Sequence, residues 1–170
     1  AVRPDPVLHA LTAHARLDLD GGTQPLALSS EEYRDFGTYN AMVYGRAEHM
    51  YGALRDAMGD DAFARFLRTY YDRWALRHVD EPAMRAAASD AAGRDMTWFF
   101  EQWVHRTGVV DYALADVRVR RDGDGWVTTA RVTRKGDYRH PMPVGVLTAD
   151  GWTIERADAL PDRQTVSVRT

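Results

Sequence analysis

Apolar residues recur at helical spacing through roughly the first 110 residues and alternate thereafter. The first strong pattern predicts a helix over 39–58, with Val43, Ala47, Met50, Leu54 and Ala57 on one stripe. Gly59 is placed to cap its end, and Asp60 to cap the next helix. That second helix carries Phe63, Phe66, Leu67, Tyr70, Tyr71 and Trp74 and is expected to end at His78-Val79. Asp80-Glu81-Pro82 reads as N-cap, acidic first turn and early proline of a third helix, which closes at Gly93. A short fourth helix follows Asp95, with Met96, Trp98, Phe99, Phe100, Trp103 and Val104. It is apolar on most sides, so it is expected to be sandwiched between layers.

Past Thr107-Gly108 the period changes to two. Tyr112 and Leu114 share one phase and Val117 and Val119 the other, which predicts a bulge near Ala115. Asp122-Gly123-Asp124-Gly125 is a hairpin signal. It leads into a strand in which Trp126, Thr128, Ala130 and Val132 alternate with Val127, Thr129 and Arg131. Met142, Val144, Val146 and Thr148 form a further strand, and Asp150-Gly151 turns into Trp152 and Ile154. The expected fold class is α+β: a helical bundle over 1–110, then an antiparallel β-sandwich-like module over 111–170. Residues 1–30 are less regular. Pro4-Asp5-Pro6 opens a short helix through Leu8 and Leu11, Leu17 and Leu19 alternate with Asp18 and Asp20, and Gly21-Gly22 and Pro25 break any element. The first residue is not Met, and the alternating run Thr165–Val168 stops just before Thr170, so a piece of a longer protein is expected.

Composition narrows the function classes. The 170 residues are 45% hydrophobic and 28% charged, as in a folded globular protein. Residues 1–110 carry 12 basic and 16 acidic side chains, a net of −4; the remainder carry 10 and 9, a net of +1. Neither part is a polycation, so nucleic acid is not an expected partner. No run of 18 apolar residues exists, so no membrane-spanning segment is expected. The basic residues are 21 Arg and a single Lys, Lys135, a bias that reads as a GC-rich coding sequence. There is no cysteine, hence no disulfide and no thiolate chemistry. The compartment is left open.

Few side-chain groupings carry chemistry. His9, His14, His49, His78, His105 and His140 include no H-E-x-x-H pattern. His9 and His14, five apart, would splay by about 140° around a helix. His78 and Asp80 bracket a helix start, where an N-cap explains the aspartate. Serine is scarce and no G-x-S-x-G occurs. Glu31-Glu32 and Asp60-Asp61 suit the positive ends of helices. Trp98, Phe99, Phe100 and Trp103 read as core. The exception is the opening of the first long helix, where Tyr39 and Tyr44 stand five apart with Arg46 beside them. A phenol there either donates a hydrogen bond to a developing oxyanion or is an ordinary half-buried helix residue.

The same region carries a resemblance. Tyr44-Gly45-Arg46-Ala47, then Met50, Leu54-Arg55, Met58-Gly59-Asp60, Phe63, Leu67, Tyr70 and Tyr71 resemble the gluzincin zinc aminopeptidases of the aminopeptidase N and leukotriene hydrolase type. Gly93-Arg94-Asp95-Met96, Trp98-Phe99-Phe100, Trp103, Gly108 and Asp111-Tyr112 continue the similarity, which spans about residues 23–120. The resemblance implies that 1–110 corresponds to the C-terminal half of a gluzincin catalytic domain and 111–170 to its following β module. It implies zinc held by H-E-x-x-H and a later Glu upstream of Ala1, in a parent that hydrolyses peptide substrates. No cofactor or metal ligand then falls within these 170 residues, and the piece alone is expected to be inactive. Only Tyr44 takes over a family role, stabilisation of the tetrahedral oxyanion, with Tyr39 in support. Arg46 and Ala47 stand where the family has Lys and Gly, and Gly45 where Glu is frequent. These departures, with the arginines Arg118, Arg120 and Arg121, support an alternative: a non-catalytic interaction or scaffold module of the same fold. A carbohydrate-binding module using Trp126 and Trp152 is a further alternative, though both tryptophans alternate like core.

Overall fold

A computed structural model describes residues 15–170. The expected early helix through Leu8 and Leu11, with His9 and His14, lies outside the described residues. The chain forms two compact units that meet in sequence at Thr107 and Gly108.

The helical unit opens with a helical turn over 15–19 where Leu17 and Leu19 suggest alternation. A 3-10 turn follows at Ser30–Glu32, where the Glu32 carboxylate accepts from the Ser29 amide and hydroxyl, both at 2.8 Å. The long helix begins at α1 (Phe36–Asn40), three residues before the predicted start, because Asp35 caps it by accepting from the Thr38 amide at 2.7 Å. It runs through a π-helical turn (Ala41–Arg46) into α2 (Ala47–Met58). Within the turn the Ala47 amide donates to the Met42 carbonyl, five residues back. That extra residue shifts the apolar stripe. Met42, Gly45 and Arg46 are buried, whereas the predicted member Val43 is half-buried.

Gly59, at φ 82°, both ends α2 and serves as N-cap of α3 (Asp60–Trp74). Asp60 therefore does not cap. Its carboxylate accepts from Arg55 Nε at 2.7 Å. The helix α3 stops at Trp74, short of His78, because Leu76 enters the left-handed region at φ 61°. The third helix, α4 (Glu81–Ala92), has both predicted ends. Asp80 accepts from the Ala83 amide at 3.0 Å, and Gly93 closes it at φ 64°. The last, α5 (Thr97–Trp103), buries Phe99, Phe100, Gln102 and Trp103. Successive helices pack on one another, and the core gathers Met42, Leu54, Phe66, Ala88, Met96, Phe99 and Phe100.

The second unit is a small antiparallel sandwich. One sheet has the order β1 (Tyr112–Asp122), β2 (Gly125–Arg134), β5 (Arg163–Arg169); the other pairs β3 (Pro143–Thr148) with β4 (Gly151–Arg156). The register slips between Ala115 and Arg118 at Asp116, whose φ is 52° and whose carboxylate pairs with Arg131. Tyr112, Met142, Val144 and Val146 close on Val132, Ala157, Val166 and Val168. Trp126 and Trp152 are not core: they are 52% and 65% exposed. Trp126 shares the phase of Val132 but lies six residues along β2, about 20 Å from it and beyond that cluster. Trp152 faces the other way, over Gly145, where an added Cβ would come within 2.8 Å of its ring.

Candidate active-site face around Tyr44

The π-turn sorts the predicted site residues by exposure. Tyr44 is 65% exposed, and its hydroxyl has no hydrogen-bond partner among the described residues. Met42, Gly45 and Arg46 bury the opposite side of the same turn. The chain thereby holds a phenol outward on a segment whose backbone is fixed from behind.

Tyr39 has a different place. It is half-buried in an aromatic group, edge-on to Tyr33 at 5.5 Å and stacked with Phe36 at 6.2 Å. Tyr33 is itself tied down, its hydroxyl donating to the carbonyls of Pro25 and Leu26 at 3.0 and 3.2 Å. Burial raises its phenol pKa above the ordinary value. No ring contact joins Tyr39 to Tyr44. The two tyrosines share a helix, but only Tyr44 is presented to solvent.

Arg46 is not beside the tyrosines on the surface. It is 1% exposed, and its Nη2 donates to the carbonyls of Arg106 at 2.9 Å and Trp103 at 3.4 Å. Its guanidinium carbon lies 5.5 Å from the centre of the Trp103 ring. These carbonyls belong to the end of α5 and the turn after it, where helical carbonyls lack intrahelical partners and the dipole is negative. The sequence shows Arg46 only as a charge; its burial against a chain segment about 60 residues away is visible only in the fold.

Two other arginines act alike. Arg65 donates to the Ala91 carbonyl at 3.2 Å, at the end of α4, and Arg94 to the Ala57 carbonyl, at the end of α2. The arginine bias thus has a structural use that composition did not reveal. A groove of about 550 Å³ also opens beside the end of α3, lined by Leu67, Tyr70, Tyr71, Trp74 and Val79.

The remaining histidines do not converge. His49, His78, His105 and His140 lie on separate segments, and Asp80 serves as a helix cap. His105 Nε2 stands 3.7 Å from Glu81 Oε2. Among the described residues no group of three His, Asp or Glu side chains is placed to hold a metal ion.

A helical unit followed by an antiparallel sandwich makes this an α+β protein. The model of the Peptidase family M1 domain matches residues 2–103. Aminopeptidase N of Lactococcus lactis subsp. lactis is 29% identical over 69 residues, which cover 41% of this chain and 8% of that protein. Aminopeptidase N of Lactobacillus helveticus is 25% identical over 108 residues, 62% of this chain and 12% of that protein. The chain belongs to peptidase family M1, in the aminopeptidase N-like group of gluzincins. It spans about a tenth of the length of these relatives. Membership in M1 implies zinc for the family's catalytic unit, and the described residues do not fit such a site.

Proposed function

We propose that this chain is the C-terminal part of a zinc metallopeptidase that hydrolyses peptide bonds near N-termini. In this reading residues 1–110 form the second half of the catalytic domain, and 111–170 a following β module. The zinc-binding part of the same polypeptide lies upstream and is the principal partner. The observation that carries the reading is Tyr44: an exposed phenol, without a hydrogen-bond partner among the described residues, on a rigidly backed π-turn. Its O–H donates a hydrogen bond to the oxygen that becomes negative as a peptide carbonyl turns tetrahedral. Because the group is already held outward, little reorganisation is needed when that charge develops. Tyr39 supports the turn through its ring contacts with Tyr33 and Phe36.

In a longer, zinc-bearing protein that contains this chain, Tyr44→Phe should lower kcat by about 10² with little change in KM, as expected for one lost oxyanion donor. An unchanged kcat removes Tyr44 from the mechanism. The 170 residues alone should neither bind stoichiometric zinc nor cleave aminoacyl substrates, and observing both refutes the reading of an inactive piece.

The second reading is a non-catalytic interaction module of the same fold. It is favoured by Leu147, Trp152 and Ile154, all exposed on the β3–β4 sheet at paired or adjacent register positions. The encoded polypeptide discriminates the two: H-E-x-x-H with a later Glu supports the peptidase, and other residues at those positions support the module.

A further inference from the structure

We propose that Arg46 is a positioning residue for Tyr44, holding the π-turn in the phase that presents the phenol. The inference rests on the reading of Tyr44 as an oxyanion donor and adds the element that fixes its geometry. A π-turn is a local excursion from a more stable helix and persists where the surroundings determine it. The buried side of this turn is Met42, Gly45 and Arg46. Met42 offers only packing, and Gly45 has no side chain. Arg46 alone makes directional bonds there, to the carbonyls of Trp103 and Arg106.

The charge makes the attachment stringent. A guanidinium at 1% exposure is stable only where fixed acceptors replace water. The acceptors include the carbonyl of Trp103, at the end of α5, and that of Arg106 just beyond it, and the guanidinium lies over the Trp103 indole. Rewinding the turn to a regular helix would rotate Arg46 by roughly one residue's arc, about 100°, and pull the guanidinium off both carbonyls. The same rotation would carry Tyr44, two residues earlier, away from its outward position. Arg46 therefore couples the end of α5 to the orientation of Tyr44.

The test compares Arg46→Met and Arg46→Lys in the 170-residue chain by amide hydrogen exchange and by NMR of ring-labelled tyrosine. Arg46→Met should lower protection of the amides around 45–47 by about 10²-fold, the scale of losing charge-assisted hydrogen bonds, and should shift the Tyr44 ring resonances. Protection in α3 and α4 should remain. Arg46→Lys, which keeps a buried cation able to reach a carbonyl, should restore most of both signals. Wild-type protection and Tyr44 resonances in Arg46→Met overturn the proposal. Loss of protection throughout α3 and α4 in both variants also overturns it, because Arg46 would then hold the whole unit and not the turn. If the zinc-bearing protein tolerates Tyr44→Phe without loss of kcat while these exchange results hold, the oxyanion reading fails and the coupling stands.

Discussion

Replacing Met42 and Val43 one at a time measures the phase of the π-turn directly. A regular helix from Tyr39 puts Val43 on the stripe of Ala47, Met50 and Leu54, and Met42 off it. In the folded chain Met42 has 0% exposure and Val43 is only half-buried. Truncating a fully buried Met to Ala costs about 2–5 kcal/mol, because the transfer free energy of the lost atoms is joined by a cavity. Full burial of a Val side chain contributes about 1.5–3 kcal/mol, so truncating a half-buried one should cost about 1 kcal/mol. Met42→Ala should therefore be the more destabilising by at least about 1 kcal/mol. In a unit of this size that separates the two midpoints by about 4–8 °C or more. Urea and thermal unfolding followed at 222 nm reads the difference, with equal m-values confirming that only stability changed. A Val43→Ala variant as unstable as Met42→Ala would refute the π-turn and restore the regular stripe.

Other consequences are local. Tyr44→Phe should leave the stability of the chain within about 0.5 kcal/mol, since the hydroxyl has no partner among the described residues; a larger loss in chemical denaturation would show a structural role. Asp80→Ala removes the acceptor for the Ala83 amide and should cost about 1 kcal/mol in the same measurement, with Asp80→Asn nearly neutral. Gly136→Ala would place a Cβ 2.7 Å from the Asp111 amide nitrogen and against the Val109 carbonyl oxygen, both backbone atoms, and should cost about 1–3 kcal/mol in the sandwich unit. Asp35 is held below the usual carboxylate range first by the Thr38 amide, Glu32 by the Ser29 amide, and Asp95 by the Thr97 hydroxyl. A depressed folded pKa gives stability that is complete above the unfolded value and is lost as pH falls through the folded one. The melting temperature of the helical unit should thus decline on going from about pH 5 to pH 3, and a flat profile over that interval would refute these contributions.

The helix α4 shows what local chemistry makes legible. Asp80, Glu81, Pro82 and Gly93 act within one turn of where they stand, so reading them in order yields both ends. The Ala115 bulge and the Asp122–Gly125 hairpin follow from neighbouring residues in the same way. Gly59 ends α2 as its spacing predicts, and its second duty shows only in the fold: one glycine at positive φ serves two helices, and the Asp60 carboxylate accepts from Arg55 instead of capping. The early stop of α3 at Trp74 was not legible, because it needs Leu76 in a conformation that its side chain disfavours.

The helix opening and the surrounding motif single out Tyr44 as a candidate, but its exposure is not legible in the sequence. The phase of a helix can be read only while it stays regular, and the inserted residue at 41–46 puts Met42 in place of Val43 on the buried side, while Met50, Leu54 and Ala57 beyond it stay buried as the spacing predicts. Trp126 and Trp152 mislead because alternation gives the two faces of a strand, but neither which face is covered, as for Trp152, nor how far the covering layer reaches, as for Trp126. Arg46, Arg65 and Arg94 are the clearest division. By itself the sequence determined the caps, the periods and the order of helices and strands, because those depend on residues a few positions apart. Only the tertiary structure decided which arginines bind the carbonyl ends of helices, and that Arg46 alone of the three is buried in doing so, since each bond joins segments about 26 to 60 residues apart and requires the packed bundle to bring donor and acceptor together.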